Sequence, residues 1–294
     1  MIIFLFVDGM GIGPAGDQNP LSWNHFPGIE ELCGGQKLVE GIQNLHSGDV
    51  LFKAIDANID MPGLPQSGTG QATLFSGENA SKLAGRHYGP FPHSATKHLL
   101  GEKSIFSHFK QQGKTATFIN AFPQRFIDYC AAKNRWSCCM LMAREYGQPL
   151  NSMAEIKDGA AITADLTQEY WHKSVDADVR CISVSEATTR IVEKAAKTDL
   201  TLVEFFLTDK AGHERDPDNA TAILQRLDDL LSELLNQFDF EKGTLVITSD
   251  HGNIEDLGTK SHTRNPVPLI VKGAGAERFE NVESIMGVFG GMKG

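Results

Sequence analysis

Apolar positions along this chain follow two patterns. The first is the largely continuous run: Ile2–Val7, 200–207, 245–248 and 267–271. Runs of this length and content predict strands buried on both faces, as in a parallel sheet. A further strand is expected over 115–121, after the Gly113-Lys114 break. The second pattern has helical period. Ala220, Ile223, Leu224, Leu227, Leu230, Leu231, Leu234 and Leu235 form the apolar face of a long amphipathic helix. Shorter helices are expected over 104–112 and 185–197. Strand and helix alternate, which predicts an α/β three-layer sandwich around a mostly parallel central sheet.

Two stretches fit neither pattern. Residues 9–50 are rich in Gly, Pro, Asn and Ser and read as a long surface excursion. Residues 123–184 read as irregular, with Tyr129, Trp136, Tyr146, Tyr170 and Trp171. They are expected to form a small cap over the site, on a core made of 1–122 and 185–294.

The 294 residues suit one large domain or a core with a smaller unit. The formal net charge is -10 and no Lys/Arg cluster appears, so a nucleic-acid partner is not expected. No apolar run approaches the roughly 18 residues of a membrane helix, so no membrane partner is expected either. The odd set Cys33, Cys130, Cys138, Cys139 and Cys181 matches no zinc or disulfide framework and reads as reduced thiols. The apolar N-terminus lacks a basic flank and a cleavage site, so a cytoplasmic location is expected.

The acidic balance acquires a second meaning from where certain residues fall. Asp8 and Asp250 each follow an apolar strand, and ligand sites of open α/β sheets lie at that end. His251 and Gly252 follow Asp250 directly. Asp209 and His213 share one face of a helical turn, and His262 lies in Ser-His-Thr-Arg-Asn-Pro-Val-Pro. Three carboxylates and three imidazoles at strand ends suit Zn²⁺, Mn²⁺ or Fe²⁺. The stretch 65–73, with Ser67, Thr69 and two glycines, reads as a turn into a helix N-terminus able to present a hydroxyl and backbone N–H groups to a phosphate. It is neither a G-x-S-x-G elbow nor a Walker A loop.

In their order, these motifs resemble the alkaline phosphatase superfamily. Asp250-His251-Gly252-Asn253 and His262-Thr-x-Asn265-Pro266-Val267-Pro268 are most similar to its metalloenzyme branch, which holds cofactor-independent phosphoglycerate mutases and phosphopentomutases. The resemblance implies an alkaline phosphatase-like fold and two divalent metal ions, Mn²⁺ or Zn²⁺. Asp8, Asp250, His251 and the Ser67 hydroxyl would hold one ion; Asp209, His213 and His262 would hold the other. Family spacing, counted back from Gly70, makes Ser67 the nucleophile, with Thr69 as the alternative. Gly70-Gln71 replaces the branch's Gly-His, and only 123–184 stands where the phosphoglycerate mutases carry a large inserted domain.

The expected reaction is phosphoryl transfer from a small phosphorylated substrate through a phosphoserine, with hydrolysis preferred. A phosphomutase, a non-catalytic metal-binding relative and a metal-free serine esterase are the alternatives. A sulfatase is disfavoured because Cys-x-Pro-x-Arg is missing. Arg264, two residues past His262, and Arg86, after the Ser67 segment, are the candidate substrate cations.

Overall fold

The computed structural model describes residues 1–293. Its sheet has seven strands: β1 (Ile2–Val7), β2 (Leu45–Ser47), β3 (Val50–Ile55), β4 (Ala116–Phe118), β5 (Leu200–Phe205), β6 (Thr244–Thr248) and β7 (Val267–Gly273). Their order is β2-β3-β7-β6-β1-β5-β4. The half β6-β1-β5-β4 is parallel, as the apolar runs predict. The β2-β3-β7 end is antiparallel and extends the sheet through β6–β7 pairing. β2 and the start of β3 come from the stretch read as a surface excursion, which also contains helices Pro20–Trp23 and Pro27–Leu32. These elements are short and set among turn residues, so no period shows in the sequence.

Alternation along β1 divides the core into two layers. Ile2, Phe4 and Phe6 pack with helices Ser67–Ser76, Ile105–Gln111, Cys138–Tyr146 and Ile285–Met292. Ile3, Leu5 and Val7 pack with helices Pro27–Leu32, Val184–Ala195 and Pro217–Gln237. The leucine stripe of Pro217–Gln237 faces this second layer, and its start is set by Pro217 and by Asp216, whose side chain accepts from Asp218 N and Asn219 N. The architecture is thus the three-layer α/β sandwich.

Residues 123–184 are not irregular. They contain helices Gln124–Lys133, Cys138–Tyr146, Met153–Lys157 and Glu169–Ser174. Two end at left-handed residues, Asn134 and Gly147. Cys138–Tyr146 belongs to the main core, while Ala121, Ile156, Ala161, Trp171 and Val179 form a separate small cluster. Cys33, Cys130, Cys138 and Cys139 are buried free thiols, and burial pushes each of them up, Cys33 to about 12. Among the described residues no helix is long and apolar enough to cross a membrane.

Candidate metal centre and substrate cavity

Register brings the chemistry to one edge of the sheet. Val7 pairs with Phe205 and Phe6 with Thr248, so β1, β5 and β6 end level with one another. Asp8 follows β1, Asp250 follows β6, and Asp209 sits in helix Leu207–Glu214, which follows β5. His213 lies one turn further along that helix, its Nε2 3.4 Å from Asp209 Oδ2. The chain leaves β1 through Gly9 at φ +69, and a Cβ there would stand 2.8 Å from Asp209. Only glycine permits both that backbone and that approach.

Ser67 is the first residue of helix Ser67–Ser76, and its Oγ lies 3.0 Å from His251 Nε2. Thr69 is turned away: its Oγ1 donates to the Gln66 carbonyl and accepts from Tyr88 N. Its own N–H donates to the Tyr88 carbonyl. The 88–91 segment is pressed so closely on this helix that a Cβ on Gly68 would meet the Phe91 carbonyl oxygen at 2.1 Å.

The three histidines present the same ring atom. Nδ1 of His213, His251 and His262 faces the carbonyls of Lys260 (2.8 Å), Gly252 (3.3 Å) and Pro65 (2.7 Å). An Nδ1–H donated to a carbonyl leaves the Nε2 lone pair free for a cation. His262 Nε2 lies 3.2 Å from His213 Nε2 and 3.5 Å from Asp209 Oδ1. His251 Nε2 lies 3.3 Å from Asp8 Oδ1 and 3.6 Å from Asp250 Oδ2. The rings of His251 and His262 stack at 3.7 Å. Two groups of possible ligands result, Asp8–Asp250–His251 and Asp209–His251–His262, and they share His251. The Asp209–His213–His262 grouping also converges, with His213 on the half-exposed side.

The donor set fits divalent cations on a direct structural test. Asp8 Oδ1 and both carboxylate oxygens of Asp250 are buried without a hydrogen-bond partner. Leaving charged oxygens in that condition is costly, and a bound cation removes the cost. Burial first, and then the neighbouring carboxylates, push Asp8 well above the usual carboxylate range. Burial and Asp209 push Asp250 up to about 7. Burial and His251 push His262 down to about 4, and burial also lowers His251. The imidazoles of His251 and His262 are therefore neutral near pH 7, as metal ligands must be.

The partners behind these groups include Gln71, Asn253 and Asn265, which the sequence motifs named without a role, and Glu255, which they did not. Gln71 Nε2 donates to Asp8 Oδ2 at 3.1 Å, which gives the Gly70-Gln71 departure a contact. Asn253 Nδ2 donates to Asp209 Oδ1 at 2.7 Å. Glu255 accepts from Gly11 N (2.9 Å), Asn253 N (2.7 Å), Asn265 Nδ2 (3.0 Å) and the Thr263 hydroxyl. One carboxylate thereby ties together the loops that carry Asp8, Asp250-His251 and His262. Glu204 is pushed up to about 7 by burial and lines the cavity beside Asp8. A glutamate inside an otherwise apolar strand was a signal available in the sequence.

Asp8, Ser67 and Asp209 form part of the wall of a cavity of about 620 Å³. Its cations are Arg125 and Lys210, not the two arginines expected from the sequence. The Arg264 guanidinium donates to the Gly63 carbonyl at 3.1 Å, and the residue does not line this cavity. Arg86 lies against the Tyr88 ring and lines a separate cleft of about 390 Å³. Lys210 directly follows Asp209, so sequence adjacency could have found it. Arg125 required the fold.

The Metalloenzyme superfamily model matches residues 169–292. The 2,3-bisphosphoglycerate-independent phosphoglycerate mutase of Pyrococcus abyssi is 30% identical over 110 residues, 36% of this chain and 26% of that one. The enzyme of the same name from Thermococcus kodakarensis is 28% identical over 154 residues, 48% of this chain and 37% of that one. The chain therefore spans well under half the length of these relatives. Alkaline phosphatase from the Antarctic bacterium TAB5 superposes with a TM-score of 0.57 at 13% identity, over 99% of this chain and 96% of that one. In sequence the chain is similar to metalloenzymes of the phosphoglycerate mutase kind, and its fold is alkaline phosphatase-like.

Proposed function

We propose that this protein is a two-metal phosphohydrolase that acts on small phosphoesters through Ser67. The observation that carries the reading is the convergence of Asp8, Asp250, His251, Asp209, His213 and His262 around buried unpartnered carboxylate oxygens, with the Ser67 hydroxyl at the edge of the cluster. Divalent cations held there would lower the pKa of the serine hydroxyl and neutralise charge on the phosphoryl oxygens.

The remaining chemistry belongs to the chain. Ser67 Oγ gives its proton to solvent and bonds to phosphorus as the P–O bond to the leaving group breaks; the leaving oxygen takes a proton from solvent. Water then attacks phosphorus, the Oγ–P bond breaks, and Ser67 regains its proton. The net change consumes one water and releases an alcohol and inorganic phosphate. Gln71 and Asn253 hold the Asp8 and Asp209 carboxylates in place throughout. The Nδ1 contacts of the histidines to backbone carbonyls fix the ring planes.

The test is a panel of phosphoesters assayed on chelator-treated protein with Mn²⁺ or Zn²⁺ added back. Release of inorganic phosphate supports hydrolysis. Transfer of the phosphoryl group within a retained substrate would replace it with a mutase. Turnover that survives metal removal would overturn the metal reading altogether.

A further inference from the structure

The cavity above the metal cluster has walls of a kind that the phosphoryl chemistry does not require. Phe91, Phe122, Phe126, Tyr170, Trp171 and Phe206 all line it. They come from four separate parts of the chain: the segment after the Ser67 helix, the 122–126 turn into helix Gln124–Lys133, helix Glu169–Ser174, and the start of helix Leu207–Glu214. Phe122 and Phe126 stack at 5.9 Å with their planes 28° apart, so the wall includes an ordered aromatic pair. Trp171 is buried in the small 121–179 cluster and supports that side. Tyr170 and Phe126 are different: they are 57% and 42% exposed. Large rings left in water beside a pocket gain free energy when a ligand covers them. Of the other polar side chains on the same wall, Asn120 is bonded to the Glu204 backbone and Asp165 to the Thr163 hydroxyl and Tyr170 N, while the cations Arg125 and Lys210 are exposed.

A short polyhydroxy acid phosphate needs several hydrogen-bond partners around its organic part, because desolvating each hydroxyl without replacement is unfavourable. The six rings offer only the Tyr170 hydroxyl and the Trp171 indole N–H. A planar ring system finds stacking and edge contacts there instead. We infer that the organic part of the substrate is an aromatic or heteroaromatic ring, as in an aryl phosphate or a nucleotide, with its phosphoryl group directed at Ser67 between Asp8 and Asp209. This rests on the phosphohydrolase reading for the direction of the phosphoryl group. The ring placement rests independently on the wall. Cleavage is balanced as above: the P–O bond to the aryl or nucleoside oxygen breaks, that oxygen is protonated by solvent, and water supplies the oxygen of the released phosphate.

The experiment compares phenyl phosphate, adenosine monophosphate and 3-phosphoglycerate on Mn²⁺-loaded protein. It adds phenylphosphonate, which cannot be hydrolysed at its P–C bond, as a binding probe followed by calorimetry. The ring esters are expected to exceed 3-phosphoglycerate by at least about tenfold in kcat/KM. Phe126→Ala and Tyr170→Ala are expected to reduce that ratio at least about fivefold, mainly through KM. A preference for the nucleotide over the phenyl ester identifies the ring as a base, and the reverse preference identifies it as a simple aryl group. Either supports the inference. Equal or faster turnover of 3-phosphoglycerate overturns it while leaving phosphoryl transfer intact. Phenylphosphonate binding that weakens in Phe126→Ala, without turnover of any ester, keeps the aromatic site and sinks the phosphohydrolase. No phenylphosphonate binding at millimolar concentration overturns the aromatic site.

Discussion

Ser67 Oγ lies 3.0 Å from His251 Nε2, although 184 positions separate the two residues in the chain. Thr69, only two residues from Ser67, is bonded to Gln66 and Tyr88 instead. Ser67→Ala is therefore expected to lower turnover by at least about 10³-fold with metal content preserved. Thr69→Val should keep turnover within an order of magnitude and cost about 1–3 kcal/mol of stability, through two lost hydrogen bonds. Phosphate trapped on Thr69 in a quenched reaction would reverse the assignment.

Asp250 is fully buried with both oxygens unpartnered, so its charge burdens the metal-free fold. Asp250→Asn should raise the melting temperature of chelator-treated protein and sharply reduce bound metal. Elemental analysis and calorimetry on the same sample check both halves. A fall in metal-free stability would mean that the carboxylate is held by something other than a cation.

The same carboxylate sets a pH dependence. Its folded pKa is raised from 3.8 to about 7, so between those values the native state binds the proton more tightly than the unfolded chain does. That stability is complete below about 3.8 and is lost as pH rises through about 7. Chelator-treated protein should thus melt at progressively lower temperature between about pH 4 and 7, as far as this group decides. Metal affinity should run the other way and strengthen with rising pH, because protons compete for the same oxygens. A metal dissociation constant that is flat from pH 5 to about 7 would contradict the placement of Asp250 as a ligand.

Glu255 is 1% exposed and receives four donors from three loops. Glu255→Ala should cost about 3 kcal/mol or more, because buried N–H groups lose their acceptor. Glu255→Gln keeps the shape and should recover part of the fold. Metal affinity, titrated on folded Glu255→Gln protein, is expected to fall as the ligand loops loosen. An unchanged affinity would confine Glu255 to stability.

Of the cations, Lys210 and Arg125 line the cavity, whereas Arg264 reaches the Gly63 carbonyl. Lys210→Ala and Arg125→Ala should each lower kcat/KM by about tenfold. Arg264→Ala should lower it less. The opposite ranking would restore Arg264 as the substrate's contact.

The sequence by itself determined the parallel half of the sheet, because β1, β5 and β6 are apolar enough to be buried on both faces and each leads to a carboxylate. It also placed Asp209 and His213 on one helical face, since that relation is local. It found β7 as a strand but missed its antiparallel pairing, the strands β2 and β3 set among turn residues, and the helices of 123–184. Tertiary structure alone decided two things: His251 stands between both ligand groups, and the cavity wall is aromatic. For Ser67, which the sequence already preferred to Thr69, it supplied the contact with His251. Each depends on segments far apart in the chain, brought level by the register of β1 against β5 and β6. Side-chain direction across such distances is set by packing, and a local pattern in the chain contains no record of it.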